Sequence, residues 1–210
     1  MRKVIFSIII VIIAIALFLF TYDFRAEQEQ SFYKYSISSK EYKLLKDGDI
    51  ILRYGYGLVS DYIVKTLKED YYISHCGIIV IKDGKYKVIH SVSQSLSDYD
   101  GVQEQSLEKF INHSQVKSII VTRFKTTDKK RKLISKKAIE YKDRQIPFDH
   151  SFNINDSSEI YCSELIWKII LDQFKIDIFP DKSEKTKNYL NFSNFYNPDY
   201  FEIIINHQEK

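Results

Sequence analysis

Ser74-His75-Cys76-Gly77-Ile78-Ile79-Val80-Ile81-Lys82-Asp83-Gly84-Lys85-Tyr86-Lys87-Val88-Ile89-His90-Ser91-Val92 reads as a β-hairpin, and its register governs the reading of the rest of the chain. Two runs rich in β-branched residues flank Asp83-Gly84, a pair suited to the positive φ angles of a two-residue turn. Strands are expected over residues 74–81 and 86–92. With Asp83-Gly84 as the loop, Lys82 faces Lys85, Gly77 faces His90 and His75 faces Val92. Directly opposed residues share a face of the sheet, as do residues two apart along a strand. His75, Gly77 and His90 therefore project from one side, the two histidines as diagonal neighbours roughly 7–8 Å apart at the backbone. Gly77 leaves room in front of His90. Cys76 points to the opposite face, across from Ser91, and is expected to lie outside a site on the histidine face.

Around this hairpin the pattern alternates short strands with helices. Asp47-Gly48-Asp49 turns into a strand over 50–54, and Leu58, Tyr62, Ile63 and Leu67 give a helix over 57–69. A short helix is expected over 106–112, a strand over 116–124, a basic amphipathic helix over 128–143 and a final strand over 201–205. Loops at 93–101 and 145–158 would shape a pocket. Adjacent antiparallel strands with helices packed on them make an α+β fold.

The helix expected over 162–174 carries Cys162, Leu165, Ile166, Ile169 and Ile170 on one inward stripe. Cys162 stands at its N-terminal end, with residues 156–159 as capping candidates just upstream. A cysteine in an apolar stripe is ordinarily a core residue. At a helix start, however, the positive end of the dipole favours the thiolate, and free N–H groups can hold an oxyanion. Two histidines on one face beside such a cysteine fit thiol catalysis, in which one imidazole takes the thiol proton and the other orients it. The same three residues could bind zinc as Cys-His-His with an open position. No carboxylate or further histidine is obviously placed to complete that set, so neither a metal nor a cofactor is expected.

The chain has 210 residues, 44% hydrophobic, with 16 Tyr and 14 Phe, the composition of a folded domain. Its formal charge of +3 and the lack of a basic, aromatic-interleaved stripe argue against nucleic acid as a partner. The run Lys129-Lys130-Arg131-Lys132 reads as a solvated helix face. Two cysteines are too few for a disulfide scaffold. At the N-terminus, Arg2 and Lys3 precede an apolar run over 4–20 whose exit offers no small-residue cleavage site. Residues 1–25 are thus expected to be an uncleaved signal anchor, a transmembrane helix, in preference to a cleaved secretion signal. Residues 26–44 are a linker and lead-in, with 27–31 a short polar linker, and 45–210 form the domain. The flanking charges put the domain on the extracytoplasmic side.

Gly48-Asp49-Ile50-Ile51, Ser74-His75-Cys76-Gly77-Ile78 and Tyr161-Cys162-Ser163-Glu164-Leu165, in that order, resemble the YiiX/YaeF-like permuted papain-like hydrolases of the NlpC/P60 superfamily. In that group the histidine precedes the cysteine in the chain. Pro147-Phe148-Asp149 also fits the pattern, and the resemblance spans about residues 45–175. It implies a permuted papain-like (NlpC/P60) fold, an antiparallel sheet packed against the helix bearing the nucleophile. Carried over by position, Cys162 would be the nucleophile, His75 the base and His90 the third polar residue, where many relatives carry a carboxylate. It implies a cysteine hydrolase, amidase/peptidase or esterase, acting on cell-envelope peptides or acylated molecules. The alternatives are a catalytically silent ligand-binding module of the same fold, or an acyltransferase. The expected partners are a peptide or acyl-type substrate and, through the N-terminal helix, a membrane.

Overall fold

The computed structural model describes residues 2–94, 97, 99–180 and 191–208. Of the loop expected over 93–101, Ser95, Leu96 and Asp98 lie outside the described residues. Six strands, β1 (Ile50–Arg53), β2 (His75–Lys82), β3 (Lys85–Val92), β4 (Gly101–Ser106), β5 (Ile120–Phe124) and β6 (Phe201–Asn206), form one antiparallel sheet in the order β4-β3-β2-β1-β5-β6. The helices are α1 (Arg2–Phe32), α2 (Ser39–Tyr42), α3 (Leu58–Leu67), α4 (Leu107–Asn112), α5 (Asp128–Asp143) and α6 (Cys162–Phe174).

The hairpin has the expected register from Lys82↔Lys85 down to Ile78↔Ile89. The two-residue side-chain period then divides the core. Ile50, Leu52, Cys76, Ile78 and Ile89 face α5 and α6, where Leu165, Ile166, Ile169 and Ile170 meet them. Ile51, Ile79, Val88 and Val121 face the other way, onto Leu107, Phe110 and Ile111 of α4 and onto Tyr35 and Leu45. Each fully buried aliphatic side chain of α6 contributes on the order of 1.5–3 kcal/mol, which fixes that helix, and Cys162 at its head, against the sheet.

Several elements differ from the sequence expectation. β4 was not expected, because Gly101-Val102-Gln103-Glu104-Gln105-Ser106 has a single large apolar residue. As an edge strand it needs to bury only Val102. β5 starts at Ile120 instead of residue 116, since Lys117 takes a left-handed φ of 61°. α1 runs unbroken to Phe32, through the expected linker. α6 is not capped by residues 156–159; its N-cap is Tyr161, whose N–H donates to the Glu164 carboxylate at 3.3 Å. Asp156 instead closes its own turn by accepting from the Ser158 N–H at 2.8 Å.

The basic face of α5 is not wholly solvated either. Arg131 is buried, with Nε 3.8 Å from Oδ1 of buried Asp49, while Arg123 forks onto both Asp49 oxygens at 2.8 Å. Gly48 makes this approach feasible. Its φ is +84°, and a Cβ there would fall 2.4 Å from the Arg131 carbonyl oxygen. Gly48-Asp49 is thus a clamp between β1, β5 and α5.

Candidate active site

β2 begins at His75, which pairs with Arg53 at the end of β1, so both side chains sit at one end of the two central strands. Nε2 of His75 lies 2.8 Å from Nδ1 of His90, and the rings meet nearly at right angles, 81°. The hairpin geometry that brings them together needs Gly77, where a Cβ would fall 2.5 Å from a Val88 methyl and 3.2 Å from the His90 Cβ. Phe110 of α4 packs against both rings, at 5.8 and 5.5 Å between centroids.

Arg53 is the member that the sequence reading missed. Its guanidinium lies 4.4 Å over the Phe110 ring and donates through one terminal nitrogen to the Phe110 carbonyl at 3.0 Å. Its Nε is closed off from solvent and has no hydrogen-bond partner among the described residues. Arg123 and Arg131 have Asp49, whereas no carboxylate bonds Arg53, His75 or His90 among the described residues. The available signal was a cation closing the apolar run Ile50-Ile51-Leu52, two residues from Ile51 and hence on its face.

The electrostatics follow from this composition. Burial, then the Arg53 charge and then His90, hold His75 well below the ordinary imidazole range. Burial and Arg53 push His90 down to about 3, and the same two causes bring His113 to about 4. Burial lowers Arg53 itself to about 10, with the Cys162 sulfur pulling the other way. Both imidazoles of the pair are therefore neutral at pH 7, each with one ring N–H and one lone pair.

Cys162 is half-buried at the head of α6, where it packs against the core cluster that contains Cys76. The neighbouring Cys76 thiol, with the N–H groups of Cys76, Ser163 and Cys162 itself, lowers its pKa against the opposing effect of burial. Cys76 is fully buried and pushed well up by desolvation and by its neighbour. Cys76 lies on the face opposite His75, as its place along the strand predicts, and α6 packs on that face, which brings Cys162 up to Cys76. The structure thus hydrogen-bonds His75 to His90 and packs Cys162 beside Cys76, and among the described residues no hydrogen bond links Cys162 to His75. Since Cys76 directly follows His75, the two pairs are one residue apart along β2.

The remaining candidates lie outside this cluster. Tyr161 and Asp149 are buried, the latter accepting from the Ser151 N–H and hydroxyl at 2.8 and 2.7 Å. His150 is exposed and paired with Asp100, and His207 binds Glu41. Glu164, one turn into α6, is raised to about 7 by burial, with Lys168 opposing at 2.7 Å. No group of three or more His, Cys, Asp or Glu side chains converges as a metal cage among the described residues.

Comparison with known proteins adds to this geometry. The chain shares its fold with the structure described as metalloprotein YiiX from Escherichia coli O157:H7, at a TM-score of 0.59 and 18% identity, over 77% of this chain and 97% of that one. No curated protein matches it. The model of the family described as permuted papain-like amidase enzyme, YaeF/YiiX, C92 family, matches residues 44–199, which contain β1 to α6 and with them Arg53, His75, Cys76, His90 and Cys162. The chain belongs to the YaeF/YiiX (C92) family of permuted papain-like amidases.

Proposed function

We propose that the protein is a membrane-anchored thiol hydrolase that cleaves an amide or ester through Cys162, His75 and His90. The Cys162 sulfur attacks the substrate carbonyl as its proton passes to Nδ1 of His75. The same proton then goes to the departing amine or alcohol, leaving a thioester that water hydrolyses. For Nδ1 to act as base, His75 must carry its proton on Nε2 and donate it to Nδ1 of His90, so His90 fixes the tautomer. His90 contributes no negative charge, and Arg53 disfavours an imidazolium beside it. The thiolate leans instead on the α6 N-terminus, the Cys76 thiol and the Arg53 cation.

The observation that carries this reading is the Cys162 thiol seated at the head of α6 against Cys76, one residue along β2 from the locked His75–His90 pair. α1 is apolar and long enough to cross a bilayer, a property it shares with signal sequences. Arg2 and Lys3 ahead of the apolar run favour an anchor with the domain on the extracytoplasmic side. The absence of a Cys162–His75 hydrogen bond favours a second reading, a binding module without turnover. Catalytic contacts are often loose before substrate binds. A panel of acyl-amide and ester substrates separates the two. Hydrolysis lost in Cys162→Ser identifies the enzyme, and no hydrolysis by either protein identifies the module.

A further inference from the structure

The joint between α1 and α3 carries an interaction surface of its own. The Tyr22 hydroxyl donates to Asp61, which also receives the Tyr54 hydroxyl, and the Leu58 N–H donates to Asp23 at 3.4 Å. Tyr22 and Asp23 lie two and three residues beyond Phe20, where the apolar run ends. At about 1.5 Å of rise per residue, the first turn of α3 meets α1 roughly 5 Å beyond the end of that run.

α3 is two-faced. Ile63 and Leu67 pack inward against the core beneath α6. Leu58, Val59 and Tyr62, at i, i+1 and i+4, share the outer face and are 38%, 45% and 69% exposed. Lys65 and Lys68, also exposed, follow toward its end. An aliphatic pair, a tyrosine and flanking lysines make a surface fitted to the headgroup boundary, where aromatic rings and lysine stems are favoured. Ten residues are too few to span a bilayer but enough to lie against one.

We infer that the outer face of α3 is seated in the bilayer interface beside α1, an inference that rests on reading α1 as a membrane anchor. The bilayer is the occupant because α3 is hydrogen-bonded to α1 at the level where the apolar run ends. The consequence reaches the site. Gly55, between β1 and α3, donates its N–H to the Ser74 hydroxyl at 2.9 Å, immediately before His75. The strand ends bearing Arg53 and His75 are therefore held next to α3, and a substrate arriving there is an amphiphile whose amide or ester lies near the headgroups.

The test uses the full chain in vesicles of phosphatidylethanolamine and phosphatidylglycerol, in a Cys76→Ala, Cys162→Ser background. An environment-sensitive fluorophore is attached to one new cysteine at a time: Tyr62→Cys, Ile10→Cys in the apolar run, or Ile203→Cys on exposed β6. All three residues are exposed, so the substitutions leave the core intact. Spin-labelled lipid should quench the probes at 62 and 10 by about twofold or more and leave 203 unquenched. Quenching at 10 with none at 62 overturns the α3 inference alone. No quenching at 10 overturns the anchor and the α3 inference with it, while the hydrolase reading stands or falls on Cys162.

Discussion

His75 and His90 form one proton-sharing unit: Nε2 of the first lies 2.8 Å from Nδ1 of the second, with Phe110 against both rings. In this unit the tautomer that leaves a lone pair on Nδ1 of His75 puts a proton on Nε2 of His90, which is buried without a hydrogen-bond partner. The site accepts an unpaired N–H against an aromatic wall in exchange for a base of fixed orientation.

The depressed imidazoles make stability pH-dependent. His90 is held at about 3 when folded, against roughly 6.5 unfolded, so the unfolded chain binds the extra proton between those values. Its stabilising contribution is complete above about pH 6.5 and is lost as pH falls toward 3, at up to about 1.4 kcal/mol per pH unit. Glu164 acts oppositely: raised to about 7, it costs stability as pH rises through its window. Urea unfolding of wild type and His90→Gln at pH 7 and pH 5 separates the two. The wild type should lose more stability on acidification than the variant.

Arg53→Met keeps an apolar stem over Phe110 and removes the charge. The imidazoles should then titrate closer to their ordinary range, only part of the way because burial persists, and Cys162 should need a higher pH to react. The pH profile of Cys162 alkylation should shift up in Arg53→Met and stay near wild type in Arg53→Lys.

Cys76 tunes its neighbour. The Cys76 thiol is the foremost cause of the lowered Cys162 pKa, so Cys76→Ala should raise it and Cys76→Ser, which retains a donor, should raise it less. A rise of one unit lowers alkylation by about tenfold at a pH well below the pKa.

Asp49 is structural. Asp49→Ala leaves Arg123 and buried Arg131 without their shared carboxylate and should destabilise the fold by about 3–5 kcal/mol in urea unfolding. The imidazole and thiol titrations of any folded fraction should be unchanged.

Much of this was legible in the sequence because two-residue periodicity and a two-residue turn fix a hairpin register by counting. That placed His75 beside His90 and put Cys76 on the other face. The 3.6-residue stripe likewise located Cys162 at the head of α6. Other features depended on packing between distant segments. Arg53 reaches His75 through the β1–β2 pairing, and Cys76 meets Cys162 because α6 docks on that face of the sheet. β4 escaped notice because an edge strand does not need alternating apolar residues. Gly48-Asp49, a motif behind the family resemblance, serves to hold two arginines.

The most direct test is the rate at which iodoacetamide labels Cys162 and Cys76 at neutral pH, read by peptide mass spectrometry, in wild type and His75→Ala. Exposure alone favours Cys162, so the decisive comparison is between the two proteins. With His75 as the base, the variant should label Cys162 about tenfold more slowly and leave the slow labelling of Cys76 unchanged. Equal rates at Cys162 with and without the imidazole, or equally slow labelling of both cysteines in the wild type, would contradict the assignment of Cys162 and His75 as nucleophile and base.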